Sequence, residues 1–261
     1  MKYLKVWWQL AKIRFRQLYI ESRLDSVFLV SGKLVRFTFF LIFIISLLTN
    51  TRQLAGYSLY QTLLFFMTFN LVDISTQFLL RGTYNIQGMI NSGSLDLYLT
   101  QPANVLFRIF SDLIDLLDLT TLLPVLTVLG IIILRLETPV SPSQFLMYLL
   151  LCVNGILIAA SIHILIIGIS VLTQEISSQI WIYRDLMNMG RFPIDIYSQT
   201  LQILLTFFVP IAVMVSIPAK VLMGILSPTW VIGSFVIGAL FFMISLKFWR
   251  FALKNYTSIS T

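Results

Sequence analysis

Cysteine and histidine are nearly absent from this sequence. Its 261 residues contain one cysteine, Cys152, and one histidine, His163. A single cysteine excludes an intrachain disulfide and any zinc site built from several thiolates. His163 has no Cys, Asp or Glu near it on its own predicted helix. We therefore expect a hydrogen-bonded histidine inside the protein and no metal site.

Charged residues are also scarce. Asp, Glu, Lys and Arg make up 11% of the chain, whereas soluble domains carry about 25%. Hydrophobic residues make up 58%. A soluble fold of this composition would expose a large apolar surface to water, so the composition predicts a chain embedded in lipid.

The sequence lacks the features that bind nucleic acid or nucleotides. The net charge is +7, but no long basic stripe carries interleaved aromatic residues. A phosphate-binding loop needs GxxxxGKS or GxxxxGKT. Gly88–Gly93 has the glycine spacing but is followed by Ser94 and Leu95, and Gly32-Lys33 lacks the earlier glycine and the hydroxyl. We therefore expect no nucleic-acid partner, no catalytic residue and no cofactor in this chain.

Long apolar runs are what the sequence has in abundance. Each of six runs can cross a hydrocarbon core about 30 Å thick at about 1.5 Å per residue. Residues 1–24 instead alternate apolar positions such as Trp7 and Trp8 with Lys and Arg, which is typical of a helix in the membrane interface. The prediction is an all-α integral membrane protein with an amphipathic helix at 1–24 and one transmembrane domain at 25–261. The predicted spans are 27–49, 57–80, 104–134, 143–172, 196–217 and 228–248.

The distribution of Lys and Arg predicts the orientation. If the N-terminus lies in the cytoplasm, Arg52, Arg135 and Lys220 are the cations, among 18 in the chain, that fall outside. The opposite orientation inverts that ratio, so both termini are expected in the cytoplasm. The longer connections, 81–103 and 173–195, then also face the cytoplasm and suggest a partner there.

Three acids recur at the start of the predicted third span. Asp112, Asp115 and Asp118 are three residues apart, which keeps them within one drifting stripe of a helix. Charges inside a membrane face protein or water rather than lipid. These acids could pair with nearby cations or form a cation-attracting vestibule open to the cytoplasm. Alternatively, residues 104–118 lie partly in the interface before the true crossing.

Two cations and a further acid lie within the first two predicted spans. Lys33 and Arg36 are a turn or two inside the cytoplasmic edge, where they could snorkel or pair with acids. Asp73 is near the cytoplasmic end of the second span, and we expect it to pair with Lys33 or Arg36. The expected intramembrane charges are Lys33, Arg36, Asp73, Asp112, Asp115 and Asp118.

Two polar connections have the character of shaped surfaces. In the first, Tyr84–Ile90 could form a short helix along the membrane, and Ser94 has the character of a helix cap. In the second, Pro193 can occupy the first turn of the fifth helix, where its missing N–H costs nothing.

The motifs in these connections resemble a known family. Gly93–Pro102 reads GSLDLYLTQP, and Arg191-Phe192-Pro193 precedes the predicted fifth span. With the basic N-terminal helix and the Pro210/Pro218 turn, these residues resemble the permease subunit of a type-2 ATP-binding-cassette exporter over nearly the whole chain. The closest resemblance is to the bacterial branch of daunorubicin- or viologen-type efflux.

The resemblance implies partners, and roles for individual residues. It implies a second permease, identical or similar, and a separate ATPase (two copies or a pair) that carries ATP and Mg. The N-terminal helix would be the connecting helix, and Ser198–Gly224 would be the fifth span followed by an outer re-entrant turn. Cytoplasmic coupling helices would contact the ATPase through Tyr84, Ile86, Met89, Leu95, Asp96 and Tyr98. Candidates for the substrate path are Tyr57, Gln61, Asn70, Phe207 and Phe208.

The expected function is therefore that of a permease in a bacterial cell (inner) membrane, exporting a hydrophobic or amphipathic substrate by alternating access. An ion-driven secondary transporter is one alternative, and it should place acids near the bilayer midplane. A non-transporting membrane scaffold is the other. The sequence identifies neither the substrate nor the composition of the permease pair.

Overall fold

The computed structural model describes residues 2–21, 23–173 and 178–257, and it is helical with no strand in those ranges. Within them, five helices are long and apolar enough to cross a membrane, and a bent helix pair brings the number to as many as six. The predicted fold class, an all-α integral membrane protein, is thus confirmed. The described residues do not include positions 1, 22, 174–177 and 258–261, which belong to the predicted segments 1–24 and 25–261.

The helices follow one another with short connections. In chain order they are α1 (Lys2–Glu21), α2 (Arg23–Thr51), α3 (Leu59–Leu80), α4 (Ile86–Asn91), α5 (Ser94–Thr100), α6 (Val105–Asp112), α7 (Leu117–Arg135), α8 (Pro142–Thr173), α9 (Ser178–Asn188), α10 (Gln199–Ile203), α11 (Ile217–Leu222) and α12 (Pro228–Lys254). Short 3₁₀ turns occupy Arg81–Asn85, Met189–Arg191 and Ile194–Ile196, and π-helical turns occupy Leu204–Phe208 and Ala212–Ser216.

One end of the bundle collects α1, α4, α5 and α6 together with the end of α12, and we call it the basic end. Helix α1 lies against this end, where Tyr3 packs edge-on against Phe107 and Trp7 against Phe78. The Arg14 guanidinium donates to the Asp112 backbone carbonyl. The opposite face of α1 leaves large apolar side chains exposed, as expected of a helix at a lipid interface.

The predicted third span, 104–134, is not one helix. It breaks at residues 113–116, so that α6 stays at the basic end and the apolar crossing begins with α7. The Asp115 carboxylate accepts a hydrogen bond from the Leu117 backbone N–H at 3.0 Å. A side chain that bonds its own backbone in this way competes with continuation of the helix. The structure therefore favours the alternative in which part of 104–118 precedes the crossing.

Residues 178–197 run antiparallel to α3 along most of its length. Near the basic end, the Arg184 guanidinium is paired with the Asp73 carboxylate. Near the opposite end, the Tyr57 hydroxyl donates to Asp195 at 3.0 Å. Fourteen helical positions, or about 21 Å, separate Asp73 from Leu59 at the start of α3, and Tyr57 lies two residues before that start. This segment therefore passes through the bundle, whereas 173–195 was predicted to be a cytoplasmic connection.

Residues 199–222 form a hairpin rather than the continuous fifth span predicted at 196–217. Its arms, 199–208 and 212–222, are bent by 83° at the break between them. Lys220, late in the second arm, donates to Asp195 at 2.9 Å. Asp195 is already at the far end of the bundle, so the second arm returns there.

The tip of the hairpin reaches the middle of the bundle. A Cβ added at Gly155, midway along α8, would lie 2.9 Å from the Met214 carbonyl oxygen, whereas one added at Gly224 would lie 2.7 Å from Gln144 Nε2 near the start of α8. The hairpin thus enters and leaves at the far end. The segments that traverse the bundle are α2, α3, α7, α8, 178–197 and α12. Pro193 precedes a 3₁₀ turn within the fifth of these and does not begin a long helix.

Small residues hold α8 and α12 together along much of their length. The Asn154 amide donates to the Ser234 carbonyl at 2.9 Å, and Gly238 lies against the same amide. A Cβ at Gly168 would lie 2.8 Å from the Phe248 ring. Close approach of this kind is what small residues allow in apolar helix pairs. The pair forms a rigid support for α4 and α5.

Candidate functional site

Helices α4 and α5 form a compact pair at the basic end. The turn between them passes through Gly93, whose φ of 69° is in the left-handed region that favours glycine. Gly93 is the residue before α5, and Ser94 is its first residue, so the predicted capping role of Ser94 is wrong. The Ser94 hydroxyl instead lies 3.3 Å from the Met89 carbonyl and ties the two helices together.

Three of the predicted coupling residues are buried and anchor the pair to the bundle. Ile86, Met89 and Leu95 are buried, Leu95 completely. They belong to a cluster with side chains of α8 and α12, including Ile167 and Trp249. Motion of the α4–α5 pair is therefore tied to motion of these two helices, because packed side chains transmit displacement.

The exposed surface of the pair is apolar in part. Leu97 is 63% exposed and Leu99 is 36% exposed. Neither was named among the six predicted coupling residues. A partner that binds this end would meet Leu97 and Leu99 before it met the anchors.

The remaining predicted coupling residues link the pair to its surroundings. The Tyr98 hydroxyl donates to the Asp112 carboxylate at 2.9 Å. Burial, with the hydrogen bond to Asp112, raises the pKa of Tyr98. Burial, with the neighbouring Asp96, likewise raises the pKa of Tyr256 at the end of α12. Tyr84 is half-buried and packs edge-on against Trp181. The coupling role of all six residues remains a prediction.

The intramembrane charges form ion pairs close to the basic end. Lys33 Nζ lies 2.6 Å from Asp118 and 3.3 Å from Asp115. Arg81, which the sequence reasoning did not consider, lies 3.4 Å from Asp115. The structure therefore shows pairing of these two acids with nearby cations, which is one of the alternatives that the sequence left open.

Asp112 is separated from the other two acids by the break before α7. Its carboxylate accepts from Tyr98 and from the Asn85 amide at 3.1 Å. The prediction that Asp112, Asp115 and Asp118 share one helical stripe is therefore wrong. The helix ends between the first acid and the last.

Asp73 was expected to pair with Lys33 or Arg36. This prediction is wrong, because Asp73 is paired with Arg184. Both side chains are largely buried, with 15% of the Asp73 side chain and 22% of that of Arg184 exposed. Arg184 was placed in a cytoplasmic connection by its polar surroundings in sequence, so it was not considered as a partner. Because residues 178–197 pass through the bundle, Arg184 reaches the depth of Asp73.

These charges surround a cavity of about 170 Å³ between α2, α3, α7 and the segment 178–197. Aromatic rings of α2 and α3 form its apolar wall, with Phe40 and Phe66 stacked at 4.7 Å. Five cations line it, against two carboxylates: Lys33, Arg36, Arg81, Arg184 and Arg191 against Asp73 and Asp118. The excess of positive charge contradicts the cation-attracting vestibule that the sequence left open.

The predicted substrate-path residues do not form one surface in this chain. Asn70 lines the charged cavity, and Tyr57 is bonded to Asp195 at the far end. Gln61 accepts a hydrogen bond from the Ser58 N–H at 2.9 Å and so caps α3. Phe207 and Phe208 are exposed near the break in the hairpin. Their role in a path stays a prediction.

His163 is completely buried, and its Nδ1 lies 2.8 Å from the Ala159 carbonyl. This is the hydrogen-bonded histidine that the sequence predicted. Among the residues that the structure describes, no group of three or more His, Cys, Asp or Glu side chains is placed to hold a metal ion.

The chain is a helical bundle with several apolar spans, and its intramembrane charges contact other protein groups or line a cavity. This arrangement is typical of a membrane transport component. The family model described as ABC-2 family transporter protein matches residues 34–260. The match covers most of the 261 residues, so the chain belongs to the ABC-2 transporter family. No curated protein matches the chain. Membership implies a permease that works with an ABC ATPase and is not itself catalytic.

Proposed function

We propose that this chain is the permease subunit of an ATP-driven exporter in a bacterial cell membrane, with both termini in the cytoplasm. Two permeases, identical or similar, enclose a path for a hydrophobic or amphipathic substrate, and a separate ATPase binds ATP and Mg. We propose export rather than import because the sequence resembles daunorubicin- or viologen-type efflux permeases.

The α4–α5 pair carries the proposal. It lies at the basic end, which the positive-inside rule puts in the cytoplasm. Its anchors bind it to α8 and α12, and Leu97 and Leu99 face outward. Exposed apolar side chains on a rigid polar surface are typical of a docking site for another protein.

The proposed mechanism follows from this rigidity. Closure of two ATPases around ATP moves the two α4–α5 pairs towards each other. Because Leu95 and its neighbours are packed against α8 and α12, each pair carries its helices with it as one body. The path between the permeases then changes from inward-open to outward-open, as a rigid-body transition.

The test compares an exposed leucine with a buried one in the same helix. Leu97→Asp should leave the unfolding temperature of the purified permease unchanged but abolish copurification of the ATPase and its substrate-stimulated activity. Leu95→Asp places an unpaired charge in the core and should lower the unfolding temperature. Gln9→Asp adds the same charge on the exposed side of α1, outside the pair, and should change neither.

Normal ATPase binding by both Leu97→Asp and Leu99→Asp would overturn the proposal. So would a permease that is always isolated alone under conditions that preserve other transporter complexes. An ion-driven transporter would then be the next function to test.

A further inference from the structure

The charged cavity holds more positive charge than its own acids neutralise. Asp73 is paired with Arg184, and Asp115 and Asp118 are paired with Lys33 and Arg81. Within the part of the chain that the structure describes, no carboxylate lies within ion-pair distance of the two remaining cations, Arg36 and Arg191. Unpaired cations at membrane depth are costly unless water or an anion compensates them.

Arg191 is held in position over the apolar wall. Its guanidinium lies 5.0 Å from the ring centre of Phe40 and 5.3 Å from that of Phe69, and it donates to the Asn188 side chain at 2.7 Å. Cation–π contacts use the face of the guanidinium and leave N–H groups at its edge free to donate. The cavity therefore has a fixed donor immediately beside aromatic surface.

A buried amide also borders the cavity, but it is not a free donor. Gln77 is 5% exposed and lines the cavity, and its side chain interacts with the Tyr84 hydroxyl. The donors left for a ligand are therefore those of the two guanidinium groups. Two guanidinium groups beside an aromatic wall match an oxyanion headgroup.

The cavity lies beside α2, the least buried of the long helices. Only 6% of the most apolar window of α2 is buried within the chain, and Arg36 on this helix is exposed. A chain of methylene groups could therefore leave the cavity alongside α2, towards lipid or a second permease, while the headgroup stays inside. The volume of about 170 Å³ suits a headgroup and the start of a chain rather than a whole lipid.

We infer that this cavity binds the headgroup of an anionic amphiphile, a phosphate, sulfate or carboxylate joined to an apolar chain. Arg36 and Arg191 hold the oxyanion, and the rings of Phe40, Phe66 and Phe69 contact the chain. The molecule is either an anionic membrane lipid or the exported substrate. In its second form this inference rests on the proposed function.

Binding is tested on the full permease in an uncharged maltoside detergent, with dodecyl phosphate as the probe. The unfolding temperature should rise saturably with dodecyl phosphate and should not rise with dodecyltrimethylammonium, which has the same chain and the opposite charge. High salt should weaken the effect because the contact is ionic.

The variants remove one cation each. Arg36→Gln and Arg191→Gln should each weaken binding about tenfold or more, since a charged hydrogen bond contributes about 1.5–3 kcal/mol and 1.4 kcal/mol is a factor of ten. Arg36 is exposed, so Arg36→Gln should fold normally, and Arg191→Lys should restore part of the affinity. Arg250→Gln removes the same charge from an exposed position at the same end but outside the cavity, and should bind normally.

Two further measurements distinguish the sources. If the ligand is a membrane lipid, protein from nanodiscs containing phosphatidylglycerol retains that lipid, dodecyl phosphate displaces it, and ATPase activity of the complete complex does not change. If it is the substrate, dodecyl phosphate stimulates that ATPase activity saturably, and Arg36→Gln abolishes the stimulation.

Equal shifts with the anionic and cationic probes, or equal affinity of Arg36→Gln, Arg191→Gln and Arg250→Gln, would overturn the inference. The binding measurement needs no ATPase. Loss of ATPase copurification would therefore contradict the proposed function and leave the cavity unaffected, whereas failure of dodecyl phosphate to bind would contradict only the cavity.

Discussion

Helix α8 and the segment 178–197 traverse the same bundle, but they are stabilised by opposite means. Helix α8 is a continuous helix of 32 residues without a charged side chain, and 61% of its most apolar window is buried. The segment 178–197 contains an 11-residue helix and two 3₁₀ turns and carries Arg184, Asp185, Arg191 and Asp195. Two of these four charges, Arg184 and Asp195, are in ion pairs, and the Arg191 guanidinium lies over an aromatic ring.

The difference shows how a polar segment can pass through a membrane protein. A segment exposed to lipid must be apolar, whereas one enclosed by other helices may carry charges if each has a partner. Here α3 supplies Asp73 and Phe69, and α2 supplies Phe40. The polar segment thereby gives the bundle a charged cavity that six apolar helices would not form.

The largest expected effect comes from breaking the ion pair that fixes the polar segment to α3. Asp73→Asn or Arg184→Gln leaves a buried charge without its partner and should destabilise the protein by about 3–5 kcal/mol. The double variant should lose less than the sum of the single variants. The unfolding temperatures of the single and double variants in detergent measure these losses, and Asp185→Asn, at an exposed position, serves as a neutral control. An equal loss in Asp185→Asn would show that the Asp73–Arg184 pair does not stabilise the protein more than an exposed charge does.

A smaller effect is expected from a side chain added where the hairpin packs against α8. Gly155→Ala places a Cβ 2.9–3.1 Å from backbone atoms of Met214, so the hairpin must shift, at a cost of about 1–3 kcal/mol. Gly130→Ala in α7 meets no atom within 4 Å and should be neutral or, through helix propensity, stabilising by up to about 1 kcal/mol. The same thermal assay applies, and a neutral Gly155→Ala would show that the hairpin is not seated on α8.

The smallest effect is expected at the far end of the polar segment. Lys220 lies 2.9 Å from Asp195, whose side chain is 35% exposed, so solvent screens the pair. Lys220→Gln should cost about 1 kcal/mol or less. Arg135→Gln removes a cation at the same end outside any described ion pair and serves as the comparison. A loss as large as that of Asp73→Asn would mean that this pair is not solvent-screened.

The apolar helices could be predicted from the sequence because hydropathy reports contact with lipid directly. Helix α8 was predicted at 143–172 and is found at Pro142–Thr173, and the last span, predicted at 228–248, begins at Pro228. The segment 178–197 could not be predicted in this way. Its partners, Asp73 and Phe40, are more than a hundred residues away in sequence, and only the fold brings them to Arg184 and Arg191.

The candidate site was also predicted only in part from the sequence. A short helix at Tyr84–Ile90 was predicted from the glycines around it, and the structure has α4 at Ile86–Asn91. Which side chains face outward depends on how the pair docks on α8 and α12. The named coupling residues therefore included the buried Leu95 and not the exposed Leu97 and Leu99. Lys33 was one of several cations considered as partners for the acids, whereas Arg81 was not considered because it was assigned to a loop.

The path of 178–197 determines which groups line the cavity and which end of the bundle is free to dock the ATPase. It can be measured by single-cysteine labelling of intact cells with a membrane-impermeant thiol reagent. Cys152 is buried, so replacing it with alanine gives a background without cysteine. The geometry predicts that Ser198→Cys is labelled from outside, as are Ser143→Cys and Ser227→Cys, while Ser92→Cys is labelled only after the cells are opened. If Ser198→Cys is instead labelled only after the cells are opened, as Ser92→Cys is, then residues 173–195 lie in the cytoplasm. That result would contradict both the passage of 178–197 through the bundle and the cavity that this segment encloses.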